Sequence, residues 1–258
     1  MVHNVKIVDT HAHICDTAFD ADRGAILKRA EDSGVAAVIA VGEDLSDARR
    51  NLELALEYPV LRPAAGLYPT HLDPGQAEAM TAFIRRERDR LCAIGEVGLD
   101  YWAVKEDAER EIQRAIFADF IALAREQDLP LNVHSRSAGH YALDLLLSKG
   151  AQRVQLHAYD GKLGPALEAA RAGYFFSIPP SVLRSRQKQR LVKGLPLSCL
   201  LVETDSPVLG PQPAERNEPV NALLVVDAIA KIKGKAKEEV LEVLFENTLH
   251  LYGDLKLP

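Results

Sequence analysis

The chain has 258 residues, 47% of them apolar and 26% charged, with a formal net charge of −6. That length buries a full core and suits one large α/β barrel or two small domains. The composition excludes disorder, collagen and coiled coil, and the negative balance excludes a protein that coats DNA, though not an enzyme whose bound cations neutralise phosphate locally.

The first apolar run, VKIVDTHA from Val5 to Ala12, reads as a strand and leads straight into DTHAHICD. Side chains alternate along a strand, so Asp9, His11 and His13 share one face. Three further strands follow: AAVIAVG (Ala36 to Gly42), LRPAAGLY (Leu61 to Tyr68) and CAIGEVGLD (Cys92 to Asp100), the last carrying Glu96 and Asp100. Asp107 to Gln127 is a helix, with Ile112, Ile116, Phe120 and Leu123 at helical spacing and Pro130 to close it. LNVHSR (Leu131 to Arg136) is a strand in which Asn132, His134 and Arg136 share a face, and AGHYALDLLLSKG is a helix ended by glycine. VQLHAYD (Val154 to Asp160) brings His157, and GPALEAARAG is a helix with Pro165 near its start. GYFFSIP (Gly173 to Pro179) and LLVETD (Leu200 to Asp205) complete eight strands, the last with Glu203 and Asp205 on one face. NALLVVDAIAKIKG and KEEVLEVLFENTLHLYG make two final helices.

Strand and helix alternate about eight times over about 250 residues, the pattern of a (β/α)8 TIM-type barrel, with a doubly wound open sheet as the alternative. No linker or composition shift divides the chain, so residues 1–258 are expected to form one domain. In such a barrel the C-terminal strand ends form the active-site face, and the polar residues fall there. A lone histidine at a strand end is more often a hydrogen-bonded residue than a ligand. The joint pattern of His11, His13, Glu96, His134, His157 and Asp205 overturns that, and suits a pair of Zn²⁺, Mn²⁺ or similar divalent ions sharing a carboxylate. Asp16, Asp44 and Asp160 are expected to be helix N-caps. Cys15, Cys92 and Cys199 lie far apart and fit reduced thiols in a cytosolic protein. The N-terminal MVHNVKIVDT does not read as a signal peptide, and no apolar run approaches the ~20 residues of a membrane helix.

DTHAHICD, AIGEVGLDY, LPLNVHSRSAG, LHAYDG, GYFFSIPPS, LVETDSPVLGP and RNEP, in this order, span nearly the whole chain. Together they resemble the TatD-type deoxyribonucleases of the metal-dependent hydrolase superfamily, and HSRSAG with FFSIPPS is similar to the branch containing the third animal TatD-domain paralogue. The resemblance implies a TIM-type barrel with two or three divalent ions, Zn, Mg or Mn. By motif, His11 and His13 hold one ion with Glu96 and Asp205, and Glu96 bridges to a second held by His134 and His157. Glu203 binds a further ion or its water, and Asp205 orients or deprotonates the nucleophilic water. One departure stands out: where the family has G-V-H-P, this chain has GLYP, with Tyr68 in place of the histidine and His71 three residues on.

The implied activity is hydrolysis of DNA phosphodiester bonds as a 3′–5′ exodeoxyribonuclease, on strand ends, by a monomer with no obligate protein partner and no membrane contact, in the cytoplasm or, in a eukaryote, the nucleus. Hydrolysis of a non-DNA ester, amide or phosphomonoester on the same scaffold is the alternative. Arg136, Tyr68, His71 and Asp100 are the expected substrate contacts. The basic run Arg184 to Arg190 either steers a strand or is a solvated helix face, Arg216 and Asn217 are placed to close over the site, and Trp102 and Tyr101 either stack on a base or pack under a loop. The glycines of GEVGLDYW are expected to permit close packing rather than to bind phosphate.

Overall fold

The computed structural model describes residues 6–257. Val5, the expected start of the first strand, and the beginning of the stretch read for a signal peptide lie outside the described residues. The elements run β1 (Ile7–Ala12), α1 (Arg23–Asp32), β2 (Val35–Ala40), α2 (Leu45–Glu57), β3 (Leu61–Ala65), α3 (Pro74–Glu87), β4 (Ala93–Gly98) and α4 (Asp107–Gln127). They continue with β5 (Leu131–His134), α5 (Gly139–Ser148), β6 (Val154–Leu156), α6 (Leu163–Arg171), β7 (Phe175–Ile178), α7 (Arg186–Gly194), β8 (Leu200–Val202), α8 (Ala222–Lys233) and α9 (Lys237–Tyr252). Each strand pairs in parallel with the next, in the order β1 to β8.

Side chains and loop backbone, rather than a ladder, close the seam between β8 and β1. Thr10 Oγ1 donates to Val202 O at 2.9 Å, and Thr204 N donates to Asp9 Oδ1 at 2.8 Å. Asp205 N donates to His11 O at 2.8 Å, and His13 N donates to Ser206 O at 2.8 Å. The segment that shuts the barrel is therefore the one that sets Asp205 against the two N-terminal histidines. This is a TIM-type barrel, and the open sheet is set aside.

The lumen is filled from below. Ala37, Ala64 and Ala93 pack with Val8, Ile39, Phe175 and Leu201, and the same cluster takes in Leu251 and Tyr252 at the end of α9 and Leu255 just beyond it. Above this lies a satisfied polar layer, as burial of polar groups requires. Asn132 Nδ2 and Gln155 Nε2 donate to Thr10 O at 2.9 and 3.2 Å, and Tyr252 Oη donates to Gln155 Oε1 at 2.7 Å. Outside the strands, an apolar shell packs them against the helices.

Strand ends differ from the sequence expectation in one consistent way. Pairing stops at His134, Leu156 and Val202, so His157, Glu203 and Asp205 are the first residues of loops. Of these, His157 and Asp205 line the mouth, while Glu203 turns to Ala158 N and Ser177 behind it. Register shifts in β1 between Asp9 and Ala12 and in β4 between Ile94 and Val97 fall on the stretches carrying His11 and Glu96, where irregular pairing re-aims a side chain. Gly98 sits at φ +146°, and a Cβ there would meet His134 O at 2.0 Å. That position permits the close approach of β4 to β5, as expected for the glycines of this motif.

Smaller expectations resolve locally. α4 keeps its expected bounds, but Asp128, in the left-handed conformation at φ 47°, ends it before Pro130. Asp16 and Asp44 cap the elements that follow them. Asp160 does not cap α6, because its carboxylate accepts from Ser137 N at 2.9 Å. The three cysteines are unpaired. No described helix is long and apolar enough to cross a membrane.

Candidate metal centre at the barrel mouth

The side chains at the C-terminal strand ends gather into two adjoining clusters. In the first, His11 Nε2 lies 3.4 Å from His13 Nε2, and Asp205 Oδ1 lies 3.5 Å from both. In the second, Glu96 Oε1 lies 2.7 Å from His134 Nδ1 and 2.8 Å from His157 Nε2, which are 3.0 Å from each other. Glu96 joins the clusters, since its other oxygen lies 3.5 Å from His13 Nε2. His11, Glu96 and His157 also present one ligand atom each within 4.8 Å of one another.

Two features of this donor set fit divalent cations. Imidazole nitrogens face each other at 3.0 and 3.4 Å beside shared carboxylate oxygens. A ring nitrogen is a donor or an acceptor, and pairs aimed at one spot with carboxylates are lone pairs converging on a positive charge. The far nitrogens are held from behind: His11 Nδ1 by Asn132 Oδ1 at 2.8 Å, and His134 Nε2 by Asp100 Oδ2 at 3.1 Å. This fixes the tautomer and ring orientation that a metal-binding histidine needs.

The electrostatics show the same demand for positive charge. Burial opposes the charged form of His11, but the Asp205 hydrogen bond and the charges of Glu96, Asp205 and Glu203 outweigh it and hold its pKa up to about 10. Burial likewise opposes charge on His134, and Glu96 and Asp100 hold it up to about 9. Burial and then the neighbouring His11 push His157 down to about 4. For Asp205, burial is overcome by hydrogen bonds from His11 and His13, and its carboxyl stays below the usual range.

The other expected site residues divide. Arg136 and Tyr68 line the mouth, a cavity of about 420 Å³. Tyr68 Oη donates to Asp100 Oδ2 at 3.1 Å. Burial, followed by the charges of Glu96 and Asp100, raises its pKa and makes it a weaker acid still. Asp100 is not in the mouth. It stands behind His134, with Oδ1 accepting from Trp102 N and Ala103 N at 2.9 and 2.8 Å. His71 is not brought there either, its Nδ1 lying 3.0 Å from Gln76 Oε1. Glu203 sits one layer back: its carboxylate accepts from Ala158 N at 2.8 Å and from Ser177 Oγ, and lies 3.9 Å from His157 Nδ1. Burial is the chief cause that pushes Glu203 up to about 7.

Arg216 does not close over the site. It pairs with Asp22 at 2.6 Å, while Asn217 Nδ2 donates to Thr204 O at 2.7 Å, so RNEP anchors the loop after β8. Trp102 is 55% exposed and carries the Arg136 guanidinium 3.7 Å over its ring, whereas Tyr101 is buried. Of the run Arg184 to Arg190, the arginines are exposed but Lys188 turns inward to the mouth. Glu43 and Ser135 are mouth residues that the sequence does not single out, and Lys188 is singled out there only as a member of the basic run. For Lys188 a signal existed, because it shares a helical face with Leu191 and Val192 at spacings of three and four.

A family profile described as "TatD related DNase" matches residues 8–253. The human protein named "Deoxyribonuclease TATDN3" is 42% identical over 98% of this chain and 96% of its own length. A Bacillus subtilis protein, "Uncharacterized metal-dependent hydrolase YabD", is 31% identical over 95% of this chain and 98% of its own. Among solved structures, the Escherichia coli TatD homologue YJJV superposes with a TM-score of 0.89 at 27% identity, covering 97% of this chain and 99% of that one.

Proposed function

The chain belongs to the TatD-related DNase family of metal-dependent hydrolases, and on that premise we propose that its mouth hydrolyses DNA phosphodiester bonds from the 3′ end of a strand. The observation that carries this reading is Glu96, whose two oxygens reach the separate imidazole clusters at 2.7, 2.8 and 3.5 Å, as a carboxylate shared by two cations would. His11, His13 and Asp205 would complete one ligand set, and His134 and His157 the other. The cavity, about 420 Å³, is the size of a small-ligand pocket, which favours a strand end over an enclosed duplex.

Bound there, divalent ions such as Zn²⁺, Mg²⁺ or Mn²⁺ would supply Lewis acidity toward a phosphoryl oxygen and would lower the pKa of a water. The protein's own groups do the rest. Asp205, on the wall of the mouth, would orient the attacking water or take its proton. Asn132 and Asp100 keep His11 and His134 in a single ring orientation. Arg136, on its Trp102 platform, draws the polyanion in and offers a flat face for a terminal base. Tyr68 shapes the wall where the family has histidine, and its hydroxyl, committed to Asp100, leaves the departing oxygen to be protonated by solvent.

The test is turnover of a single-stranded oligonucleotide labelled at its 5′ end. The expected result is a ladder shortened by one nucleotide at a time, lost with EDTA and restored by a divalent ion. A folded, metal-loaded protein that cuts no DNA but opens a simple ester would move the assignment to a non-DNA hydrolase. A second expectation concerns Asp100→Asn. Loosening His134 lowers metal affinity by about 10–100-fold, measured by competition with a chromophoric chelator, and an unchanged affinity would remove Asp100 from this role.

A further inference from the structure

Two polar groups in the mouth have no part in the metal centre, and each lacks the partner its burial calls for. Lys188 is 7% exposed, yet its ammonium donates only to main-chain oxygens, those of Ala158 and of Tyr159, the latter at 3.2 Å. Among the described residues it pairs with no carboxylate within 4.0 Å, and Glu203, Asp160 and Asp205 act on it only as more distant charges. An ammonium has three donors, so one remains for the cavity it lines. Buried lysines are rare unless paired. Ser135 is 2% exposed, lines the same cavity, and its hydroxyl has no hydrogen-bond partner among the described residues.

The neighbouring carboxylates are occupied. Asp160, on the same wall, accepts from Ser137 N at 2.9 Å, and Glu203 accepts from Ala158 N at 2.8 Å and from Ser177. Glu43 and the apolar Val208 and Leu209 line the same cavity. An anion entering the mouth thus meets two unspent donors, the Lys188 ammonium and the Ser135 hydroxyl, whose neighbouring carboxylates are already engaged.

We propose that Lys188 and Ser135, with Arg136 at the rim, form a phosphate subsite beside the metal centre that holds the phosphodiester next to the one being cleaved. The inference rests on the reading of the substrate as a nucleic-acid strand. The subsite is a binding element: it places the strand and leaves the chemical step to the metal centre.

The test compares metal-loaded wild type with Lys188→Met on a single-stranded oligonucleotide and on bis(p-nitrophenyl) phosphate, which has no second phosphate. The variant is expected to raise KM for the oligonucleotide at least about tenfold with little change in kcat, since a lost charge-assisted hydrogen bond is of that order. It should also flatten the salt dependence of kcat/KM by roughly 0.7 in log–log slope, the share of one phosphate contact on a single strand. Metal content and turnover of the small diester should stay as in wild type. An unchanged KM and salt slope overturn the subsite, and so does an equal loss on both substrates, which would put Lys188 on the scissile phosphate. Should Lys188→Met fail to fold, Ser135→Ala carries the test: KM for the oligonucleotide rises about threefold, as loss of one neutral hydrogen bond predicts, and an unchanged KM overturns the proposal. Calorimetry with inorganic phosphate separates this inference from the nuclease reading. A wild type that cuts no DNA, yet binds phosphate about tenfold more tightly than Lys188→Met, removes the nuclease and keeps the subsite.

Discussion

Glu96→Gln is expected to leave a folded barrel that hydrolyses DNA at least about 10³-fold more slowly than wild type and retains less than the full complement of metal. The substitution keeps the shape of the side chain and removes its charge. Glu96 is buried, and its neighbours are imidazoles on three sides: His134, His157 and His13. Burial raises the energy of its charged form, yet His157 and His134 hold its carboxyl well below the usual range, so the native site is built around that anion. A neutral amide offers one weak oxygen donor and an NH₂ that points protons at lone pairs. A metal ion contributes several kcal/mol of charge stabilisation to phosphoryl transfer, and losing about 4 kcal/mol corresponds to ~10³ in rate. The measurements are elemental analysis of the purified variant, circular dichroism for the fold, and single-turnover cleavage. Cleavage at the wild-type rate by a folded variant would remove Glu96 as the shared ligand.

How far the sequence revealed this arrangement depends on the range of the interactions. The eight strands and α4 were legible because their signals are local: short β-branched runs ended by Gly, Pro or Asp, and apolar residues at helical spacing. Placing His11, His13, Glu96, His134, His157 and Asp205 together needed only the barrel rule that strand ends share one face. Strand lengths were overestimated for the same reason that the site exists. LHAYD and VETD look extended in sequence, but His157, Asp160 and Asp205 lie beyond the last ladder pair and line the mouth.

What stayed hidden depends on contacts between distant segments. Nothing local says that Asp100 backs His134, 34 residues on, rather than facing substrate. Nothing local says that Tyr252 rises from the end of α9 to the layer holding Asn132, or that Asn132 in turn fixes His11 from 121 residues away. Arg216 was read as a lid because it follows β8, but Asp22 of the first loop claims it. Lys188 lay inside a basic run whose other members are solvated, and only the helical phase of that run distinguishes it.

Removing the metal with a chelator is expected to lower the melting temperature by about 8–16 °C, and adding back a divalent ion should restore it. Ions at about a thousand times their dissociation constant stabilise a native state by ~4 kcal/mol when the unfolded chain does not bind them, and 1 kcal/mol moves the melting point of a chain of roughly this length by about 2–4 °C. The unfolded chain is a poor competitor here, because the proposed ligand groups come from β1, β4 and β5 and from the loops after β1, β6 and β8. Three of these proposed ligands, His11, His13 and Asp205, flank the seam, which no ladder closes among the described residues. An ion held by the first cluster would therefore tie β1 to the β8 loop, at a seam held by side chains and loop backbone. The prediction is read by calorimetry on apo and reloaded protein at fixed protein concentration. The variant Asp205→Asn, which removes one charge at that seam, should show a smaller difference between the two states. An identical melting temperature with and without excess Zn²⁺, Mn²⁺ or Mg²⁺ would mean that the native mouth binds none of them tightly, and the metal-centre assignment would fall with it.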